Sequence, residues 1–399
     1  MAFAQKKASD GRFTAFRSIG DSVAFRNHDA PTDWDVIGVT ARTLLDRVYD
    51  QFLASPHDAG PAMYQLQSGL SEVRSSCPAD EWDRVASQCQ THPVGKLVWQ
   101  DPFTHHSHSR PSGYAGDARL LDYLYGESGV PEGTTALGAS VFRHMMAQQG
   151  ALGVRARRDL LAQLIDETAA QVDRPRILSI ACGHLREAAQ SSALREGRVG
   201  ELVALDQDVE SLAQVERACA GMPVRTVNCS VRAILSGKTS FEGFHFVYAA
   251  GLYDYLSERV ATRLTRLMFD MLAPGGRLLA ANFAPVLPEV GYMETFMAWK
   301  LIYRSPDEMA RLSADVPDSQ WKSHRVFWDD SENVVFLDLV KRSSRTRGDA
   351  PALPAMAPEI AANSSVTVPG MNHVTFGPAV HAARATTPTG PMGPNSNGQ

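Results

Sequence analysis

The chain has 399 residues, 44% of them hydrophobic and 21% charged, with a formal net charge of −5. Such a composition belongs to a globular protein, long enough for two domains or for one domain with extensions. The slightly acidic balance excludes a partner held mainly by a basic surface, so no nucleic acid is expected. No run of eighteen apolar residues occurs, so no membrane span is expected either. The five cysteines (Cys77, Cys89, Cys182, Cys219, Cys229) show no paired C-x-x-C spacing. That pattern fits reduced thiols in a cytoplasmic protein, and the polar opening residues lack a signal-peptide core.

Residues 1–30 read as a flexible N-terminus. From 31 to 170 the pattern is helical: Val36, Val39, Leu44, Leu45, Val48 and Phe52 follow a 3.6-residue period, and Met63, Leu66, Leu70 and Val73 repeat it. This region is expected to form a helical lid over the substrate. Within it, the basic group Arg155–Arg158 reads as a solvated helix face. The cluster His105, His106 and His108 lacks the further ligands that a metal would need, so no metal site is expected and the segment reads as a polar lead-in to the turn after it.

From 171 to 343 strands and helices alternate. Strands are expected over 176–181, 201–206, 224–229, 244–250 and 277–283, with helices near 185–195, 208–220 and 257–272. Leu272–Gly276 reads as a helix stop and tight turn. The runs Val326–Trp328 and Val334–Leu337 flank Asp329–Asn333 and read as an antiparallel hairpin. The fold class that results is α/β: a doubly wound, mostly parallel seven-stranded sheet with a C-terminal antiparallel hairpin, preceded by helices. After 343 the chain is rich in Pro, Ala, Gly, Ser and Thr, and 344–399 is expected to be a disordered tail.

The chemistry concentrates where the first strand ends. Ile177, Leu178, Ile180 and Ala181 lead into Cys182-Gly183, and the second apolar run, Leu202–Leu205, ends on Asp206. Strand, glycine turn, helix, strand and acid is how doubly wound proteins hold a nucleoside, with the acid accepting hydrogen bonds from the ribose. The G-x-G-x-x-G of dinucleotide sites is missing.

Over about 170–342 the chain resembles the class I S-adenosylmethionine (SAM)-dependent methyltransferases. Ser179–Gly183 looks like their first motif, although Ser179 stands where an acid is usual and Leu185 replaces the second glycine. The resemblance implies SAM as cofactor. It places Ala181, Cys182 and Gly183 at the methionine portion, and Asp206 with Gln207 at the ribose. Asn228 and Ser230 fall beside the adenine, and Ala250 and Gly251 beneath the cofactor. Arg186 and Glu187 are the charged groups nearest its amino-acid end, or else helix-surface charges. His184 either meets the cofactor carboxylate or faces solvent.

A closer resemblance rests on Asp101-Pro102-Phe103-Thr104, Arg110–Asp117, Ala250–Leu256 and Gly291–Arg304. Over about 90–342 these look like a bacterial family of 3-hydroxypalmitic acid methyl ester synthases, makers of a quorum-sensing signal; Ser112 stands where that family has a basic residue. Relatives with the same landmarks occur in secondary metabolism, and some resemble enzymes that close SAM to azetidine-2-carboxylate. The activity so implied is methyl transfer to a small-molecule acceptor, a carboxylic acid such as a 3-hydroxy fatty acid.

Four residues are candidates for the acceptor side. Tyr114 lies in a glycine-flanked turn able to fold over a ligand. Asn282 ends the fifth strand, at the edge where open α/β sheets bind ligands. Tyr292 and Tyr303 approximate one helical face with Phe296 and Trp299. Tyr253, Tyr255 and Glu294 are further candidates for the pocket, and Asp117 for a helix cap or a ligand contact. No strong general base stands out, which leans towards a carboxylate acceptor, already ionised at neutral pH. Two other readings stay open: ring closure of SAM with release of methylthioadenosine, and a non-catalytic SAM-binding or interaction protein.

Overall fold

A computed structural model describes residues 36–343; the stretches expected to be flexible over 1–30 and disordered over 344–399 lie outside them. Eight helices come first: α1 (Val36–Ala54), α2 (Gly60–Ser76), α3 (Ala79–Thr91), α4 (Val94–Val98), α5 (Pro102–Ser109), α6 (Ala118–Tyr125), α7 (Ala136–Met146) and α8 (Gln149–Gln171). Then β1 (Arg176–Ile180) leads through α9 (Glu187–Gln190) and α10 (Ser192–Arg195) to β2 (Glu201–Asp206), and α11 (Val209–Ala218) leads to β3 (Val224–Asn228). Next come α12 (Val231–Leu235), β4 (Phe244–Ala249), α13 (Glu258–Asp270) and β5 (Leu272–Phe283). The described residues close with α14 (Val290–Phe296), α15 (Pro306–Arg311), β6 (Trp321–Trp328) and β7 (Val334–Lys341).

The seven strands form one sheet in the order β3-β2-β1-β4-β5-β7-β6. The first five are parallel, and β7 runs antiparallel between β5 and β6. The α/β class, the parallel sheet and the terminal hairpin all stand as the sequence implied. One expectation needs correction: Leu272–Gly276 does not precede β5 but belongs to it. The strand starts at Leu272, and its pairing with β4 shifts register between Phe244 and Phe246, with Gly275 at φ 80°. The Pro-Gly-Gly run bends the strand rather than ending a helix.

Strand side chains alternate between two cores. Leu178, Ile180, Val203, Leu205, Val247 and Leu278 face one way, onto Ala261, Leu264, Met268 and Phe269 of α13. Those four recur at the spacing of one helical stripe. Ile177, Leu202, Ala204, Phe246, Tyr248 and Leu279 face the other way, into a core continuous with Leu45, Met63, Val85, Val141 and Leu161 of the helical region. The N-terminal helices therefore pack as a layer on one face of the sheet. Both faces being covered explains why the inner strands are near-continuous apolar runs.

The helical layer is pinned by buried polar groups. Glu294 on α14 accepts from Arg74 Nε at 2.7 Å and from Trp82 Nε1 at 2.6 Å, joining α2 and α3 to α14. Asp101 caps α5, accepting from the amides of Phe103 and Thr104, both at 3.0 Å, and from Thr104 Oγ1 at 2.6 Å. Thr104 Oγ1 in turn meets the Tyr292 hydroxyl at 2.9 Å. Burial pushes the Asp101 carboxyl up to about 6. A carboxyl raised on folding binds more protons in the folded state, so the stability linked to it is present at low pH and is lost as pH rises through that value. Urea unfolding of Asp101→Asn beside the parent should therefore show the parent losing ground between pH ~4 and ~7; a stability difference independent of pH contradicts this.

Candidate functional site

The carboxyl edge of β1, β2, β4 and β5 carries the site. Asp206 ends β2 at 8% exposure. Its Oδ2 accepts the Gly183 amide at 2.9 Å, and its Oδ1 accepts the Asp208 amide at 2.9 Å. Burial raises this carboxyl above its ordinary range, against the pull of those amides. A carboxylate has about four acceptor positions, so each oxygen keeps capacity for a further donor. Two ribose hydroxyls fit what is left.

The loop after β1 is strained. Ala181, Gly183 and Leu185 have φ of 54°, 54° and 50°, a left-handed conformation that costs non-glycine residues energy and persists only where the surroundings enforce it. The enforcement comes from the helical layer. Asp122 on α6 takes a side-on pair of bonds from Arg186, Nε and Nη2 both at 2.7 Å, and a third from His184 Nδ1 at 2.8 Å. The His184 and Arg186 bonds hold the Asp122 carboxyl below its ordinary range, against the burial that raises it. Ala118 at the start of α6 lies 3.3 Å from where a side chain at residue 183 would begin, a tight approach that together with the left-handed φ favours glycine. Arg186 therefore spends Nε and Nη2 on Asp122, with Nη1 3.9 Å from Glu127. His184 is half-buried, with Nδ1 on Asp122.

The remaining cofactor-side residues gather at the same edge. Cys182 is half-buried, its thiol pushed up by burial and by the charge of Asp206. Gln207 and Asn228 are exposed, and Asn228 Nδ2 donates to the Gln207 carbonyl at 3.0 Å. Ser230 caps α12. The Ala250 carbonyl, just beyond β4, accepts from Arg157 Nη1 at 2.7 Å, and Gly251 is half-buried beside it.

Of the acceptor-side candidates, Tyr114 is at the site. It is 38% exposed, and burial together with the charges of Asp206, Asp117 and Asp208 raises its phenol. Its turn rests on a fixed platform: Trp299 Nε1 donates to the Tyr255 hydroxyl at 2.8 Å. A side chain at Gly116 would begin 2.1 Å from that hydroxyl, so only glycine fits. Asp117 caps α6 through the Leu120 amide at 2.8 Å and holds His106 Nε2 at 2.9 Å, while His108 stacks on Trp99 at 4.3 Å. His106 and His108 are therefore structural.

Asn282 and Tyr292 are corrected. Asn282 is fully buried; its amide donates to the carbonyls of Phe283 and Ile302 at 2.9 and 2.8 Å, and its carbonyl accepts from Arg304 Nη1 at 2.5 Å. Both polar atoms of that side chain are bonded, to Phe283, Ile302 and Arg304, so none is left for an acceptor. Tyr292 is also fully buried, bonded to Thr104 within the helical layer. Tyr303 is half-buried, its hydroxyl buried without a hydrogen-bond partner and raised by burial and by the charge of Glu294. The supposed common helix face does not exist, because α14 ends at Phe296 and Ala298 turns left-handed at φ 50°. Tyr253 is core, bonded to Thr265 at 2.8 Å.

Four residues that the sequence analysis gave no role at the site stand out. Arg157, assigned there to a solvated face, is 2% exposed; its neighbours Arg155 and Arg158 bind the carbonyls of Leu124 and Tyr125. Val154, Arg157, Leu161 and Ile165 follow the buried stripe of α8, a spacing that could have found it. Asp254 accepts the Phe283 amide at 2.7 Å, and burial pushes its carboxyl up to about 6. Asp122 is the third. Glu289, 2% exposed, lines an apolar cavity of about 30 Å³ between the helical layer and the end of β5, with one oxygen unpartnered.

No protein-family model matches the chain, and no curated protein matches it. Among solved structures it is similar to a possible exported protein from Bordetella parapertussis, at 14% identity and a TM-score of 0.48, over 78% of this chain and 99% of that one. It is also similar to the N-methyltransferase NodS from Bradyrhizobium japonicum with S-adenosylhomocysteine, at 14% identity and a TM-score of 0.34, over 47% and 87%. A third is the magnesium protoporphyrin IX methyltransferase ChlM from Synechocystis with S-adenosylhomocysteine, at 8% identity and a TM-score of 0.39, over 55% and 92%. At such values the chain's own side chains must carry the function.

Asp122→Ala leaves Glu127, 3.9 Å away, as the remaining carboxylate of Arg186. It should lower stability by about 1.5–3 kcal/mol, the worth of hydrogen bonds to a charged group, and relax the turn at 181–185. Thermal unfolding with amide exchange of Cys182 and Gly183 checks this; unchanged stability and exchange contradict it.

Proposed function

We propose that the chain is a SAM-dependent methyltransferase acting on a small molecule, and that its acceptor is the carboxyl group of a hydroxy fatty acid or related acid. The observation that carries the cofactor reading is Asp206, held at the end of β2 by the amides of Gly183 and Asp208 with acceptor capacity to spare. In this reading Asp206 binds the ribose, with Gln207 beside it. The turn Ala181–Gly183 lies along the methionine portion, Asn228 and Ser230 border the adenine, and Ala250 and Gly251 run beneath. The helical layer closes over the site as a lid, through α6 and the turn that carries Tyr114.

When bound, SAM supplies an electrophilic methyl group on a sulfonium. The protein has to align the acceptor and exclude water. A carboxylate acceptor arrives ionised and needs placement rather than proton removal. The phenols of Tyr114 and Tyr255 are both held above their ordinary range; they stay neutral and act as donors or ring faces, not as bases. The five cysteines are all free, which supports a reducing compartment such as the cytoplasm. A role in secondary metabolism or quorum sensing rests on the family resemblance alone.

Incubation with SAM and a panel of 3-hydroxy and unsubstituted fatty acids, followed by mass spectrometry, tests the reading. Methyl ester and S-adenosylhomocysteine are expected in equal amounts; methylthioadenosine formed without any acid would instead favour ring closure. Asp206→Ala should weaken SAM binding by about 1–3 kcal/mol through lost hydrogen bonds to a charged group, and unchanged affinity contradicts its role. Tyr114→Phe should reduce turnover roughly tenfold, the worth of one hydrogen bond, with SAM affinity kept; the opposite pattern assigns Tyr114 to the cofactor.

A further inference from the structure

Helix α8 delivers one guanidinium into the interior on the sheet side. Arg157 Nη1 donates to the Ala250 carbonyl, and its guanidinium carbon lies 5.8 Å from the centre of the Phe283 ring. Its Nε is buried without a hydrogen-bond partner. Among the described residues no carboxylate oxygen stands within 4.0 Å of its nitrogens. Glu187 and Asp254 are within electrostatic reach, but Glu187 accepts from the Tyr248 hydroxyl at 2.7 Å and Asp254 from the Phe283 amide. The Tyr125 phenol also lies against the guanidinium.

A buried, unpaired guanidinium is expensive, and other arginines of this chain show the partner it lacks. Arg74 grips Glu294 with Nε and Nη2 at 2.7 and 3.0 Å. Arg186 grips Asp122 through the same two nitrogens at 2.7 Å each, and Arg277 grips Asp338 at 2.9 Å each. In Arg157 the Nε side of that edge meets no acceptor, and Nη1 is the nitrogen used. A side-on carboxylate is the group that satisfies it.

The sheet order says which carboxylate. Asp206 ends β2, whereas Arg157 stands at the ends of β4 and β5, two and three strands further across, or roughly 10–14 Å at the usual strand spacing. Phe283 also walls the cavity lined by Phe103, Met145, Leu287, Met293 and Trp299, with Glu289 at its edge. At about 30 Å³ that cavity has room for a single water; an acyl chain enters by moving the flexible methionines aside. We propose that Arg157 binds the carboxylate of the acceptor side-on, so that the apolar remainder of the acid runs past Phe283 into this cavity. The assignment rests on the methyl-transfer reading for the reaction it serves, though not for the binding itself.

Dodecanoate and dodecanamide are the probes, differing in charge but not in chain. Their affinities are measured calorimetrically on the full chain, its Arg157→Gln and its Arg157→Lys variants, each with and without S-adenosylhomocysteine. The parent should prefer the acid by about tenfold or more, as charge-assisted hydrogen bonds imply. Arg157→Gln should bring the ratio close to one, and Arg157→Lys, which keeps the charge without the side-on edge, should fall between. Because each ratio is taken within one protein, a general loss of stability does not imitate the effect. The proposal is overturned if the parent shows no acid preference, if Arg157→Gln keeps it, or if that variant loses S-adenosylhomocysteine affinity while retaining it. A protein that ignores S-adenosylhomocysteine yet shows an Arg157-dependent acid preference overturns the cofactor reading and leaves this one standing.

Discussion

The carboxylate of Asp122 joins the two layers at the loop after β1, beside the candidate site. It reaches from α6 to His184 and Arg186, the polar residues that follow the glycine of the β1 loop, and it holds three of five consecutive residues there in left-handed backbone. That conformation is unfavourable for Ala181 and Leu185, so it depends on contacts made outside the sheet. Without the clamp the Gly183 amide is not presented to Asp206, and Asp206 loses one of the two bonds that orient it. A sheet of this kind brings strand ends together by topology alone; what this chain adds is a helical layer that fixes the loops at those ends.

The layers also divide the work at the site. In the proposed reading, the β2 side offers a carboxylate to the donors of the cofactor and the β4–β5 side a guanidinium to the carboxylate of the acceptor. Between them Tyr114 stands on a turn packed against the Tyr255–Trp299 pair. The opposite charges are separated by strand spacing rather than paired with one another. The phenols of Tyr255 and Tyr303 are raised by desolvation of their hydroxyls, so they stay neutral.

The sheet was legible because strands buried on both faces must be apolar almost throughout, and Ile177–Ile180, Leu202–Leu205 and Phe246–Ala249 are so. The place of Asp206 was legible for the same reason: it ends such a run, at the carboxyl end of β2. Asn282 had the same placement and was misread. Its partner Arg304 lies 22 residues along the chain, and no local pattern shows that the two will meet. Tyr292 was misread because an aromatic stripe looks alike whether it lines a pocket or a packed layer. Arg157 was hidden in a basic cluster whose charge suggested solvent, although its spacing with Val154 and Leu161 placed it on the buried stripe. The Asp122 clamp carried no local signal at all, since its partners belong to another layer.

A crystal structure of the chain with S-adenosylhomocysteine tests the central claim most directly. The account requires the ribose hydroxyls to hydrogen-bond to the Asp206 carboxylate while its contacts with the Gly183 and Asp208 amides persist, with the sulfur directed towards β4 and the Tyr114 turn closing over it. A nucleoside bound elsewhere, or an Asp206 that still contacts only those two amides, would contradict it.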